Sequence, residues 1–231
     1  MALYVISVGG SLIVPEGIDQ DFLAAFKMFI IKRIEKGDRF ILITGGGKTA
    51  RKYQEAASHV SGIDNEEKDW LGIHSTRLNA HLLKTVFKLY ANPLVVKDYK
   101  DDIKKIDFKE KILVGAGWKP GWSTDYCAVL LAKQFKATSV INLSNIEYVY
   151  SEDPRVNADA KKYEKISWKD FREIVGSVWD PGMSAPFDPI ASKEAEKINL
   201  KVAIMNGKNL SNLQDYMDKK KFKGTIIETR E

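Results

Sequence analysis

Short apolar runs alternate with stretches of helical periodicity along the chain. Seven runs rich in Val, Ile and Leu have the length of strands: 3–8, 39–44, 93–97, 111–115, 138–142, 201–205 and 225–228. Six stretches between them carry apolar residues at helical spacing: 20–36, 48–60, 66–90, 124–135, 189–198 and 210–218. Strands that are apolar on both faces are typical of parallel sheets covered by helices. The pattern therefore predicts an α/β fold, a three-layer sandwich with a central mostly parallel sheet flanked by helices.

No low-complexity linker or internal repeat divides the 231 residues. We expect a single domain over 1–231, with two lobes that meet near residue 120. The apolar runs are far shorter than the roughly 20 residues that a membrane-spanning helix needs, so we expect no membrane segment. The chain enters its first apolar run at Leu3 without the pattern of a signal peptide, and we expect a cytoplasmic location.

Composition and charge argue against several classes of site. The 36 Lys and Arg exceed the 31 Asp and Glu by only five, and the signs alternate closely, as in 97–102, which favours a solvated surface over nucleic-acid binding. One concentrated basic patch, Lys219 to Lys221 with Lys223, is either a solvated turn or a site for an acidic partner. Cys127 is the single cysteine and the three His are scattered, so we expect no resident metal site. Any metal should have oxygen ligands and arrive with the substrate.

Glycines follow the first two predicted strands. Gly9 and Gly10 come directly after the first strand, and 45–47 come directly after the second, with Lys48 and Arg51 behind them. Helix N-termini at such points attract anions, and glycines let the backbone approach a ligand. The spacing matches neither the Walker A pattern nor the dinucleotide fingerprint. A single glycine pair can be a simple tight turn, but two such loops on neighbouring strands favour a phosphate site.

Two further strand ends carry polar side chains. The loop 115–125 ends in Ser123, Thr124 and Asp125, of which one hydroxyl is expected to cap the following helix. A carboxylate such as Asp125 at the mouth of a phosphate site would repel the substrate unless it held a Lys or a metal ion. Polar residues of 142–153 could bind a base and ribose, although a turn also explains the Asp-Pro pair at 153–154.

These motifs, taken in order, resemble the amino acid kinase family and, within it, the archaeal-type uridylate (UMP) kinases. The resemblance covers nearly the whole chain, from residue 4 to the strand at 224–227. It is carried by the two glycine loops and by four further motifs, which are Asp69 to Ile73 followed by Thr76 to Ala80, Pro120 to Asp125, Val149 to Pro154, and Asp188 to Lys193.

The resemblance implies an amino acid kinase-like fold and transfer of the γ-phosphoryl group of ATP, with Mg²⁺ as cofactor, to UMP. The products would be UDP and ADP. The acceptor lobe would be roughly 1–120 and the ATP lobe roughly 121–231. The resemblance also implies a homo-oligomer, a hexamer built as a trimer of dimers, without nucleic-acid or membrane partners.

The resemblance also assigns roles to individual residues. Two residues are expected to be catalytic. Asp125 would organise the transfer centre, and Lys193 matches a Lys of archaeal-type relatives, although an exposed helix Lys explains that position equally well. The residues expected to contact ATP are Gly9, Gly10, Ser11, Gly47, Arg51, Ser144, Asn145, Tyr150 and Asp153. The residues expected to contact UMP are Gly46, Asp69, Trp118, Lys119, Pro120, Gly121, Trp122, Ser123 and Thr124.

Some positions depart from the relatives and keep alternatives open. Trp118, Lys119 and Trp122 stand where relatives usually have small residues or His, and Tyr148 stands where Gly is usual. The aromatic faces could stack a base or could fill the pocket. One alternative is therefore a related kinase of another small phosphate or carboxylate acceptor. The other is a non-catalytic member that binds or stores a nucleotide or oxyanion.

Overall fold

The computed structural model describes residues 2–157, 159–176 and 185–229. The strands are β1 (Leu3–Val8), β2 (Arg39–Thr44), β3 (Ala91–Val96), β4 (Ile112–Gly115), β5 (Ser139–Ser144), β6 (Val149–Tyr150), β7 (Lys162–Tyr163), β8 (Lys165–Ser167), β9 (Lys201–Asn206) and β10 (Thr225–Glu228). The helices are α1 (Gly10–Ile13), α2 (Gln20–Glu35), α3 (Gly47–Ser61), α4 (Asn65–Val86), α5 (Asp101–Lys105), α6 (Thr124–Gln134), α7 (Trp168–Val175), α8 (Pro189–Lys197) and α9 (Leu210–Met217).

In the described residues, eight strands form one sheet in the order β3-β4-β2-β1-β5-β9-β10-β8. β10 pairs antiparallel with β9, whereas the other neighbours in the sheet pair in parallel. The predicted α/β class with a mostly parallel sheet is confirmed. β6 and β7 pair as a separate antiparallel ribbon.

Alternate residues of each central strand face opposite helical layers. In β2, Phe40 and Leu42 pack with α2, α4 and α9, whereas Ile41 and Ile43 pack with α6, α7 and α8. All four side chains are fully buried. This two-sided burial explains why the strands are continuous apolar runs, because neither face of the sheet meets water.

Every predicted strand and helix is present, with shifted ends. The helix predicted over 66–90 ends at Val86, and the strand predicted over 138–142 continues to Ser144. The elements that were not predicted are β6, β7, β8, α1, α5 and α7, none longer than eight residues. Such lengths are too short to show a clear period.

The topology puts the carboxyl ends of β1, β2, β4, β5 and β9 at one edge of the sheet, which we call the front edge. The amino ends of the same strands form the opposite, rear edge. Ligand sites of open α/β sheets lie at the carboxyl ends of the strands. The loops singled out in the sequence all leave from the front edge.

Candidate functional site

The two glycine loops lie against each other at the front edge. A Cβ added to Gly10 would lie 2.0 Å from the backbone nitrogen of Gly47, and one added to Gly45 would lie 2.4 Å from the nitrogen of Gly10. Gly47 also has a φ of +65°, which side chains disfavour. The contact between the loops therefore requires glycine at these positions, whatever ligand binds there.

Each glycine loop leads into a helix. Gly9 and Gly46 are the N-cap residues of α1 and α3, and no side chain of the described residues caps either helix. The first N–H groups of a helix lack intrahelical acceptors, and its N-terminal dipole favours negative charge. Arg51, one turn into α3, is exposed and lines the pocket at the front edge into which both glycine loops open. The loop pair thus offers backbone amides and a cation to an anionic ligand.

Helix α4 holds the glycine loop of β2 and the loop after β4 in place. The Asn79 side-chain amide donates to the carbonyl oxygens of Gly45, at 2.8 Å, and Gly46, at 3.3 Å. The Thr76 hydroxyl oxygen accepts a hydrogen bond of 2.8 Å from the backbone N–H of Gly117. Asn79 and Thr76 are buried, so their loss would leave unsatisfied polar groups. These hydrogen bonds explain why the Thr76 to Ala80 motif contains polar side chains at buried positions.

Arg77 of the same helix binds the loop after β4 from a second side. Its guanidinium donates to the carbonyl oxygens of Trp118, at 2.7 Å, and Gly117, at 3.3 Å. The guanidinium carbon also lies 5.9 Å from the centre of the Trp70 ring. Arg77 therefore positions the loop that the sequence assigned to the acceptor.

Asp125 lies in the first turn of α6, whose N-cap is Ser123. The prediction that one of the two hydroxyls before Asp125 caps this helix is confirmed. One carboxylate oxygen of Asp125 accepts from the Ser7 hydroxyl, at 3.3 Å, and from the Asn142 amide, at 3.2 Å. The other accepts from the backbone N–H of Asp188 at 3.2 Å. Burial, together with the Asp188 carboxylate, raises the pKa of Asp125 to about 7.

Asp188 is the N-cap of α8 and is only 2% exposed. Its Oδ1 accepts from the backbone N–H of Ala191, whereas its Oδ2 is buried and accepts no hydrogen bond of normal geometry from the described residues. Burial raises the pKa of Asp188, and the backbone N–H groups of Ala191 and Ile190, with the Ser123 hydroxyl, partly oppose this. A buried carboxylate oxygen without a partner, beside a second carboxylate, fits a bound cation. Sequence analysis named Asp188 only as part of a motif and did not predict it as a site residue.

Asp69 contacts the loop before α6. Its Oδ2 accepts a hydrogen bond of 2.8 Å from the backbone N–H of Gly121. Burial raises the pKa of Asp69, and the Gly121 bond partly opposes this. Asp69 lies beyond the first turn of α4, which starts at Asn65 and whose first-turn acids are Glu66 and Glu67, so a favourable charge at the helix N-terminus does not explain this residue.

The tryptophans of the loop after β4 form an aromatic cluster with two tyrosines. The Trp122 ring centre lies 4.3 Å from that of Tyr126 and 6.0 Å from that of Trp118. Trp118 packs inward on Tyr99, at 5.7 Å, and the Lys119 ammonium lies 4.8 Å from the Trp118 ring centre. Trp122 lines the pocket at the front edge, whereas Trp118 packs against the buried Tyr99.

A pocket of about 360 Å³, which we call the central pocket, collects these groups at the front edge. Ten of the predicted site residues line it: Gly10, Ser11, Gly46, Gly47, Arg51, Asp69, Trp122, Ser123, Thr124 and Asp125. Asp188 lines it as well. Gly9 borders it as the N-cap of α1, and 118–121 complete the loop that leads to Trp122. Residues as far apart in the sequence as Gly10 and Asp188, 178 positions, thus share one cavity.

The remaining predicted residues lie outside the central pocket. Asp153 is exposed, and two nitrogens of Arg155 bind its carboxylate, which lowers the pKa of Asp153 to about 2. Ser144 ends β5 and Asn145 follows it, while Tyr150 lies in β6 with its ring 6.4 Å from that of Tyr148. Lys193 is exposed on α8.

A second cavity of about 410 Å³, the side pocket, opens beside the loop that follows β5. Glu147 of that loop lines it together with Asn206, Lys208 and Asn209, at the carboxyl end of β9. Gly207 donates its backbone N–H to the Ser144 carbonyl at 2.9 Å, which joins the two loops. Sequence analysis missed these β9 residues, although Asn206-Gly207-Lys208 carries the same signal as the other loops, a glycine with polar neighbours at a strand end.

Comparisons with known proteins bear on the family to which this chain belongs. The model of the amino acid kinase family matches residues 2–206. The chain belongs to the amino acid kinase family. Among curated amino acid kinases, the uridylate kinase of Pyrococcus abyssi is 38% identical over 225 residues, covering 97% of this chain and 98% of the relative. The uridylate kinase of Thermococcus kodakarensis is 36% identical with the same coverage.

Solved structures of the family show the same fold. The uridylate kinase of Archaeoglobus fulgidus superposes with a TM-score of 0.80 at 30% identity, covering 98% of this chain and 100% of the other. The UMP kinase of Bacillus anthracis reaches a TM-score of 0.79 at 19% identity, covering 99% of this chain and 96% of the other, which supports the fold alone. The predicted amino acid kinase-like fold is confirmed.

No helix of the described residues has the length and apolarity to span a membrane. Within the same residues, no group of three or more His, Cys, Asp or Glu side chains is placed to hold a metal ion. The Asp125 and Asp188 pair has two carboxylates, which fits an ion that is otherwise liganded by a substrate or by water.

Proposed function

We propose that this amino acid kinase is a UMP kinase that transfers the γ-phosphoryl group of MgATP to UMP and releases UDP and ADP. The observation that carries this proposal is the meeting of the glycine loops, Asp125 and Asp69 in one pocket at the front edge. Full-length similarity to proteins named uridylate kinase supports the same acceptor.

The glycine loops and Arg51 would bind the phosphates. Phosphoryl transfer needs positioning and charge stabilisation rather than a covalent intermediate, and helix N-terminal amides with an arginine provide both. Because Gly10 and Gly47 are in direct contact, a group bound by one loop lies beside the other. Following the resemblance to the family, we assign Gly9, Gly10, Ser11, Gly47 and Arg51 to the ATP phosphates and Gly46 to the UMP phosphate.

Asp125 and Asp188 would hold the cation that accompanies ATP. Bound Mg²⁺ supplies positive charge that offsets the charge of the phosphates. Burial and the neighbouring Asp188 carboxylate raise the pKa of Asp125, and the buried Oδ2 of Asp188 has no hydrogen-bond partner among the described residues. A bound cation would stabilise the ionised form of both carboxylates. Asn142 and Ser7 orient the Asp125 carboxylate toward this position.

Asp69 and the loop that Arg77 positions would bind the uridine. Asp69 uses Oδ2 for the Gly121 N–H, which leaves Oδ1 to accept from ribose hydroxyls. Trp122 presents an aromatic face in the same pocket, where a flat base could stack. The remaining contacts proposed for UMP come from 118–124, the loop that would close over the uridine.

The side pocket would take the adenosine portion of ATP. It opens beside Glu147, between the predicted residues Ser144, Asn145 and Tyr150, and it adds Asn206 and Lys208 to the proposed contacts. This placement gives the proposed lobes their roles, with the acceptor roughly in 1–120 and ATP roughly in 121–231. Asp153 and Lys193 remain predictions, because both are exposed outside the two pockets.

The test is a panel of nucleoside monophosphates with MgATP, followed by ADP release. We expect rapid release with UMP and slow release with AMP, GMP and CMP. ATP binding without turnover on any nucleotide would contradict a UMP kinase and favour either another acceptor or a non-catalytic nucleotide-binding member. Neither ATP binding nor turnover would favour a non-catalytic member that stores an oxyanion. The proposed hexamer is tested separately by light scattering of the purified protein, and the proposed cytoplasmic location by cell fractionation.

A further inference from the structure

A cavity of about 730 Å³ lies at the rear edge of the sheet, opposite the central pocket. We call it the rear cavity. Its wall includes 2–4 at the start of β1, Ser139 at the start of β5 and Lys201 at the start of β9. The glycine loops leave from the other ends of β1 and β2, so this cavity is separate from the proposed transfer centre. Its volume is in the range of small-molecule sites.

Four lysines from separate parts of the chain surround the rear cavity: Lys136, Lys201, Lys219 and Lys220. None of the described residues that line it is acidic. Their ammonium groups produce a positive potential that attracts anions. The structure thus brings part of the basic patch of 219–223 together with lysines that are distant in the sequence.

The nearby carboxylates neutralise only part of this charge, at Lys201. Asp218 is bound by the buried Arg33, at 2.5 Å, and Glu228 pairs with both Lys165 and Lys201. Lys136, Lys219 and Lys220 form no ion pair within the described part of the chain, whereas several other surface lysines, such as Lys133 with Glu194, do. Three of the four lysines that line the rear cavity therefore have no ion-pair partner among the described residues.

The floor of the rear cavity is aromatic and apolar. Tyr4, Tyr216 and Phe222 line it, and the rings of Tyr216 and Phe222 lie 4.9 Å apart, edge to face. Met217 and Ile226 add apolar surface to the same cavity. A flat ring would gain stacking and apolar contacts on this floor, while its charged groups would meet the lysines at the rim.

We propose that the rear cavity binds a small polyanion that carries a flat ring, of the class of nucleoside polyphosphates, at a site distinct from the central pocket. The multiple free ammonium groups match several phosphate charges, and the aromatic floor matches a base. β1 and α6 run between the two sites. Ser7 of β1 donates a hydrogen bond to Asp125 of α6 beside the central pocket, whereas Tyr4 of β1 and Lys136, just after the end of α6, line the rear cavity.

The test is amide hydrogen exchange of the full chain during titration with MgATP. We expect protection at the glycine loops and, at a separate half-saturation concentration, protection of 136–139 and 216–222. The variant Lys219→Gln/Lys220→Gln should raise the half-saturation concentration for the rear segments at least tenfold and leave that for the glycine loops within twofold. Lys104→Gln/Lys105→Gln makes the same charge change on α5 and should alter neither.

Inorganic triphosphate provides the second arm of the experiment, because it has the charges without a ring. The half-saturation concentration for protection of the rear segments should be at least tenfold higher with triphosphate than with ATP. The proposal is wrong if the rear segments stay unprotected at 100 times the concentration that saturates the loops. It is also wrong if the lysine variant changes nothing or if triphosphate protects as well as ATP.

Discussion

At the scale of single residues, Asp125 and Asp188 dominate the chemistry of the central pocket. Two carboxylates are held close together, one of them with a buried oxygen that lacks a partner among the described residues. Such an arrangement costs free energy in the empty protein and stabilises a bound cation. Electrostatic groups that are already oriented before the reaction are usually the largest contribution to phosphoryl transfer.

Asp125→Asn should keep the fold and reduce turnover by a factor of roughly 100 to 1,000, the usual cost of losing one oriented electrostatic contact. An amide cannot hold a cation against the phosphates. The rate is measured by ADP release at saturating MgATP and UMP. Asp101→Asn, an exposed carboxylate of α5, is the control and should retain the wild-type rate. Wild-type turnover in the Asp125 variant would remove this residue from the proposed mechanism.

The raised pKa of Asp125 also predicts a pH dependence of stability. Between the ordinary pKa of Asp, 3.8, and about 7, the unfolded chain loses this proton while the folded protein keeps it. The folded state then binds more protons, so Asp125 lowers the free energy of unfolding as the pH rises through this window. Without nucleotide or Mg²⁺, Asp125→Asn should melt above the wild type at pH 8, and the two should converge near pH 4. If calorimetry gave the same difference in melting temperature between the variant and the wild type at pH 8 and pH 4, this would contradict the raised pKa of Asp125.

Asp69→Ala tests the acceptor contacts. We expect the Michaelis constant for UMP to rise at least roughly tenfold, because a hydrogen bond to a charged group contributes about 1.5–3 kcal/mol. ATP affinity should change little, since the proposed function places Asp69 at the ribose of UMP. Glu66→Ala, in the exposed first turn of the same helix, is the matched control. An unchanged constant for UMP would mean that the ribose binds elsewhere.

At the scale of elements, the loops are fixed by contacts between backbones. The glycines were identified from the sequence as a cradle for a ligand, but their close approach to each other cannot be read from one chain segment. The same holds for α4, whose Thr76, Arg77 and Asn79 bind loops about 30 to 40 residues away. Local patterns predicted the long helices and strands, whereas these distant contacts depend on how the helices pack.

Gly10→Ala should destabilise the protein by about 3 kcal/mol or more, because its Cβ would overlap backbone atoms that cannot move without separating the loops. Nucleotide turnover should fall with it. Gly17→Ala places the same methyl group where no described atom lies within 4 Å, and we expect a change within about 0.5 kcal/mol. Urea unfolding of both variants gives the comparison. Equal stabilities would show that the loops are not in contact.

At the scale of the whole molecule, the sequence predicted the sheet, its helical layers and most of the central pocket. The alternation of buried residues in strands such as β2 made the layers evident. Ten predicted site residues share one cavity because the parallel strands end at one edge. The rear cavity and the pairing of Asp125 with Asp188 could not be predicted, since their residues are far apart in the sequence and carry no common motif.

The central claim concerns the reaction itself, and transfer of labelled phosphate tests it most directly. ATP labelled at the γ-phosphoryl group is incubated with UMP, Mg²⁺ and the purified protein, and the products are separated. The proposed function predicts that the label appears in UDP, and that Asp125→Asn slows its appearance by roughly two to three orders of magnitude. Label that stays in ATP, or that appears only as inorganic phosphate, would contradict the assignment of UMP as the acceptor.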